Sequence, residues 1–125
     1  MLKQLLAVMA GGCAGCVVRW LLAVRLNAWF PNLPPGTLLV NLVGGFIIGA
    51  AVALFARYPG MDQTWKLLIT TGLCGGMTTF STFSLEVVTL IQAGSYLWAI
   101  ISVITHVAGS LLMTMGGFWL MSLLL

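Results

Sequence analysis

Charge is what this chain has least of. Five lysines and arginines and two carboxylates are all the strong charge in 125 residues, 6% of the total. A soluble domain covers itself with more polar surface than that, so the composition excludes one. The net charge of +3 is small and scattered along the chain, and no nucleic acid or other polyanion is indicated as a partner. Metal-ligating residues are scarce too, with one histidine and three cysteines. Cys13 and Cys16 form a CxxC, but zinc wants about four ligands, and Cys74 and His106 stand on other segments. Small buried cysteines are the plainer expectation. There is no Walker-type glycine loop, catalytic triad or metal cluster, so the chain is expected to be neither an enzyme nor a fuelled pump.

What is abundant is hydrocarbon. Hydrophobic residues make up 61% of the chain, and the mean hydropathy is +1.12. About 20 apolar residues cross the roughly 30 Å of a bilayer core. Segments of that length fall at residues 5–24, 37–56, 67–93 and 97–125. They predict an all-α integral membrane protein, a single four-helix transmembrane domain over residues 1–125. Connections are marked by breakers: NAWFPNLPP (residues 27–35), RYPGMDQTWK (residues 57–66), and a tight turn at 94–96 that predicts a helical hairpin. Lys3 followed by LLAVMAGGC has the look of a lipoprotein signal. The apolar run before Cys13 is short, however, and continues past it, so an uncleaved first helix is expected.

The basic residues barely choose an orientation. Four spans put both termini on one side, so Lys3, Arg57 and Lys66 share a face, while Arg25, and Arg19 if it reaches so far, belong to the other. So weak a bias predicts a chain that inserts both ways up and pairs as an antiparallel, dual-topology homodimer. A single orientation with a slight bias is the alternative. Four short helices also have little room to enclose a solvated pathway, so a conduit calls for a second copy. Gly11/Gly15, Gly45/Gly49 and Gly72/Gly76, each pair four apart on one helix face, are packing signals that let backbones approach.

The most polar run, GLCGGMTTFSTFSLE (residues 72–86), lies inside the third segment. As one straight helix residues 67–93 would measure about 40 Å, too long for the bilayer without a tilt or a break. Gly75–Gly76 and Thr78–Thr79 predict a break at 75–79, near the bilayer midplane. Backbone freed at that depth must be satisfied by protein or line a cavity, and it presents carbonyls and N–H groups as ion sites without charged side chains. Beyond the break, Phe80, Phe83 and Glu86 stand three apart, with Ser81, Thr82 and Ser84 on flanking faces. Phenylalanines so spaced often contact lipid or core. Among hydroxyls they can instead turn positive ring edges to a small anion.

Other polar groups lie at similar depth. Asn41 in GTLLVNLVGGFIIG must be hydrogen-bonded or face a wet cavity, and structural bonding and ion contact are both open. His106, Ser110 and Thr114 form a stripe on the fourth segment. Back-bonding to their own helix is the plain role for the hydroxyls, and a satisfied or interfacial one for His106. Arg19 and Glu86 are the ionisable residues deepest in predicted spans, which makes them functional candidates. Arg19 can snorkel or gather anions at a pore mouth; Glu86 can pair with Arg19, hold a proton or organise water.

GGxxGxxxRW (residues 11–20), GTLLVNLVGGFIIG (residues 36–49) and above all TTGLCGGMTTFSTFSLE (residues 70–86) resemble the Fluc, or CrcB, family of small bacterial fluoride channels over essentially the full length. The resemblance implies passive, selective export of cytoplasmic fluoride through antiparallel dimers in the bacterial inner membrane, conferring fluoride resistance. It implies a structural sodium ion at the dimer centre, held by the backbone carbonyls of Gly75 and Thr78. It places Asn41, Phe80, Ser81, Thr82, Phe83, Ser110 and Thr114 along the fluoride pathway, and Arg19 and Glu86 in its vestibule. No role is implied for Cys13, Cys16 or His106. The rival is a proton-coupled small transporter using Glu86. Small multidrug exporters of that kind carry a glutamate in the first helix, where this chain has an arginine.

Overall fold

The computed structural model describes residues 1–125 and is entirely helical. Helix α1 is Leu2–Leu26, ending in a 3-10 turn at Asn27–Trp29, and α2 is Pro35–Arg57. The third span is made of pieces. An α-helical turn at Gln63–Leu67, a wider π-helical stretch at Leu68–Cys74 and a last turn at Gly75–Met77 run together as α3. After two extended residues α4 takes over at Phe80–Gln92, and α5 is Tyr96–Leu124. Four helical stretches are long and apolar enough to cross a membrane: Leu2–Trp29, Pro35–Arg57, Gln63–Gln92 and Tyr96–Leu124. Only 21 of 125 residues are buried, and the exposed side chains include Leu5, Val17, Ile104 and Leu111, as expected of helices that face lipid.

The ends of these helices are chemically defined. Pro35 occupies the first turn of α2, where a missing N–H is no loss. Asn27 ties α1 to α2, its Oδ1 accepting from Thr37 N–H at 3.0 Å and its Nδ2 donating to Thr37 Oγ1 at 3.1 Å. Asp62 caps α3 by accepting from Thr64 N–H at 2.9 Å and also pairs with Lys3 at 3.0 Å. The Thr64 amide, then Lys3, hold the Asp62 carboxyl down to about 2. The expected hairpin of α4 and α5 turns on Gly94, whose φ of 77° is left-handed. Gly94 N–H donates to Ile91 O and Ser95 N–H to Leu90 O, closing the helix as a Schellman motif.

Glycines let the helices touch backbone to backbone. A Cβ on Gly11 would strike the Leu68 carbonyl, and one on Gly76 would sit 2.6 Å from the Gly12 carbonyl oxygen, so α1 and α3 meet with no side chains between them. Gly49 meets the Thr114 carbonyl and Gly117 the Phe46 carbonyl in the same way, joining α2 to α5. Gly49→Ala is therefore expected to destabilise the protein by about 3 kcal/mol, because the obstacle is backbone and cannot swing aside. Gly60, with nothing within 4 Å, is the control. Thermal unfolding in detergent should separate the two alanine variants clearly.

The break is narrower than the glycines suggest. Gly75 and Gly76 are helical, and the interruption is confined to Thr78 (φ −80°, ψ 156°) and Thr79 (φ −148°, ψ 117°). Glycine is costly in a helix, but here it is spent on close packing of Gly76 against α1. Extended backbone needs substitute hydrogen bonds, and those are available one turn later, beside Asn41.

Candidate functional site

Asn41 holds the break open. From α2 its Oδ1 accepts the Thr79 N–H at 2.7 Å, and its Nδ2 donates to the Thr79 carbonyl at 3.0 Å, so one side chain satisfies both backbone groups of the extended residue. The same Nδ2 lies 3.0 Å from His106 Nδ1 on α5. Thr79 in turn caps α4, its Oγ1 accepting from Thr82 N–H at 3.1 Å. A continued helix would have sent the Thr79 N–H to Gly75. Its diversion to Asn41 leaves the Gly75 carbonyl without that donor.

Beside this clamp lies a cleft of about 520 Å³. Asn41, Thr79, Phe80, Phe83, His106 and Ser110 line it, and Gly75 and Thr78 stand on its wall. Phe83 is buried, its ring 4.6 Å from that of His106 and tilted 34° to it. Phe80 meets Phe83 edge to face, with centroids 5.5 Å apart and planes at 66°, and is itself 77% exposed. No carboxylate, lysine or arginine lines the cleft. It offers hydroxyls, an amide, the Gly75 carbonyl and ring edges among the aliphatic side chains of Ile48, Val107 and Leu111, and no full charge.

Not every residue expected on the pathway is brought to this cleft. Ser110 is, but Thr114 lies in an adjoining groove of about 400 Å³ with Ile48, Gly49 and Phe118. Its hydroxyl is bonded back to the Ser110 carbonyl at 3.0 Å. Ser81 is exposed on α4 with its Oγ 3.3 Å from Thr79 Oγ1, and Thr82 is half-buried there; neither lines the cleft. Arg19 stands behind the break, donating from Nε to the Gly76 carbonyl at 3.0 Å. It neutralises the carbonyl end of α3, where positive charge is favoured. Glu86 lies one turn beyond Phe83 with Oε1 buried and unpartnered, and it makes no ion pair with Arg19. All three cysteines are free thiols, but only Cys74 is buried as expected; Cys13 and Cys16 are exposed on α1, and no cluster of three or more His, Cys, Asp or Glu is placed to hold a metal ion.

Two participants have partners that the residue-by-residue reading did not name. Thr79, expected at the break, gives its backbone N–H and carbonyl to Asn41. His106 is 3% exposed and belongs to the clamp; its only trace in the sequence is its place four residues before Ser110 on one stripe of α5.

Residues 6–118 match the family described as CrcB-like protein, Camphor Resistance (CrcB). The chain belongs to the CrcB family. Among its CrcB relatives, one from Erwinia tasmaniensis named "Fluoride-specific ion channel FluC" is 86% identical over 124 residues, covering 99% of each chain. A protein of the same name from Escherichia coli is 60% identical over 124 residues, 99% of this chain and 98% of its own. Another from Pseudomonas paraeruginosa is 55% identical over 125 residues, 100% and 98% of the two chains. These CrcB relatives carry the name of a channel and not of an enzyme.

Proposed function

We propose that this CrcB protein is a fluoride-selective channel that lets the anion leave the cytoplasm passively and so confers resistance to it. The observation that carries the proposal is the cleft at the broken third span: neutral donors and phenylalanine edges around free backbone, with no fixed charge. Such a lining can replace the water that a small anion sheds, and it suits fluoride better than the larger chloride. An inside-negative potential drives the anion outward by about 2.3 kcal/mol per charge per 100 mV, so no fuel is needed. The names of the relatives point the same way.

The working unit in this proposal is an antiparallel homodimer in the bacterial inner membrane. A cleft open on one side, with Phe80 exposed in its lining, becomes a conduit only when a second copy covers it. A structural sodium ion fits the same frame. Hard cations take oxygen donors, and the Gly75 carbonyl, released by the diversion of the Thr79 amide, stands beside Thr78 on the cleft wall. Carbonyls of Gly75 and Thr78 from each copy would hold the ion, neutralising carbonyl dipoles where two breaks meet.

Efflux from liposomes loaded with potassium fluoride, followed by a fluoride electrode, tests this. Fluoride should leave only after valinomycin lets potassium compensate the charge, and chloride should stay behind. Chloride leaving as fast as fluoride would end the selectivity claim. Glu86, buried and unpartnered at Oε1, keeps proton-coupled transport as the second reading. Fluoride efflux that needs no ionophore and carries protons with it would favour that reading.

A further inference from the structure

Three sulfur-bearing side chains on the first span take no part in the cleft. Met9, Cys13 and Cys16 follow one another four and then three residues apart on α1, which makes each the neighbour of the next, with Cβ atoms about 5–6 Å apart. All three are exposed, and none lines the cleft. The face of α1 that packs against the rest of the chain is carried by Ala7, Gly11 and Gly15, on the other side of the helix. Burial as small apolar groups, the usual use of free cysteines, therefore does not account for this pair. The stripe ends beside a positive charge. Arg19 Nη2 donates to Cys16 Sγ at 3.7 Å while its Nε holds the Gly76 carbonyl at 3.0 Å, so the guanidinium is fixed next to the sulfur.

Two thiols, a thioether and a fixed cation select one class of ion. Thiolate and thioether donors favour soft metals such as monovalent copper. Zinc asks for about four ligands in a tetrahedron, and no cluster of three or more His, Cys, Asp or Glu is present to supply them. Charge then discriminates among the soft ions. A monovalent ion on two thiolates leaves a single negative charge, which the Arg19 guanidinium cancels. A divalent ion on the same pair leaves the guanidinium unbalanced, and net charge is costly inside a membrane span. We propose that Cys13 and Cys16, with Met9 as a thioether donor, form a binding site for monovalent copper on the outer face of α1, and that Arg19 balances its charge. As the ion binds, two S–H bonds break and two copper–sulfur bonds form. The two protons pass to water, and neither copper nor sulfur changes oxidation state. The site is separate from the cleft, and nothing in it depends on the fluoride-channel reading.

Full-length protein in detergent, purified without a histidine tag and kept reduced and free of oxygen, would be titrated with monovalent copper against a coloured chelator of that ion. X-ray absorption at the copper edge would identify the atoms bound to it. The wild-type chain should take about one ion, with sulfur neighbours only, and zinc in about 100-fold excess should not displace it. Replacing both thiols, Cys13→Ser with Cys16→Ser, should weaken binding by at least about 100-fold. Both positions are exposed, so the thermal unfolding of this double variant should stay close to wild type. Cys74→Ser, which removes the buried thiol, should leave copper binding unchanged. Arg19→Gln, which keeps a side-chain N–H but not the charge, should weaken it by about tenfold. Copper held as tightly by the double variant, copper lost with Cys74, or nitrogen and oxygen neighbours around copper in the wild-type chain would each overturn the proposal. The last of these needs no variant to fold.

Discussion

Phe80→Ile should reduce fluoride flux by about 100-fold and leave the fold untouched. The two halves of that expectation come from the same residue. Phe80 is 77% exposed on the isolated chain, and substitutions at exposed positions usually change stability by less than about 0.5 kcal/mol. Its ring nevertheless stands edge to face with Phe83 at the lip of the cleft, 5.5 Å between centroids. Isoleucine fills similar space but has no ring edge with positive partial charge, so a dehydrated anion would lose one of its few partners. A hydrogen bond to a charged group is worth roughly 1.5–3 kcal/mol, and a ring edge of that strength would span about 10- to 150-fold in rate. Fluoride-electrode efflux, compared with thermal unfolding of the same preparation, separates the effects. A variant that conducts like wild type would remove Phe80 from the pathway.

Asn41→Ala should have the larger structural effect. It strips hydrogen-bond partners from the Thr79 N–H, the Thr79 carbonyl and His106 Nδ1 together. Leaving a buried polar group unmade costs about 1–3 kcal/mol, so a loss of at least ~3 kcal/mol is expected, along with transport. Asn41→Asp discriminates further. An ionised aspartate can still accept from the Thr79 N–H but cannot donate to the Thr79 carbonyl or to His106 Nδ1, so it should be intermediate in stability and inactive in flux. Thermal unfolding and hydrogen exchange at the Thr79 amide measure this, and an alanine variant with a protected amide and full stability would refute the clamp.

The number of spans and the place of the turns were legible because they rest on composition. Four long apolar runs, three of the prolines between the first two and Gly94 at the last turn admit few other arrangements. The interruption of the third span was legible from GGMTTFSTF, and Thr78 and Thr79 fall inside the expected 75–79, but its narrowness was not legible. Gly75 and Gly76 read as helix breakers by propensity alone, whereas tertiary packing against Gly12 keeps Gly76 helical and the hydrogen bonds of Asn41 confine the break to Thr78 and Thr79. Asn41 itself illustrates the limit. An amide inside a span must be satisfied, but only the folded chain tells whether by an ion or by the backbone, and its three bonds all go to Thr79 and His106. His106 and Thr114 exchanged their expected weights for a similar reason: both lie on one stripe of α5, and where that stripe meets α2 decides which of them borders the cleft.

The most direct test of fluoride-selective passage through this cleft is the reversal potential of the purified protein in a planar bilayer, with tenfold different fluoride concentrations on the two sides, chloride making up the balance, and then a pH difference imposed. A channel selective for fluoride should reverse near the fluoride equilibrium potential, about 59 mV for a tenfold gradient of a single charge, and should stay there when the pH differs. A potential near zero, or one that follows the pH difference, would contradict it.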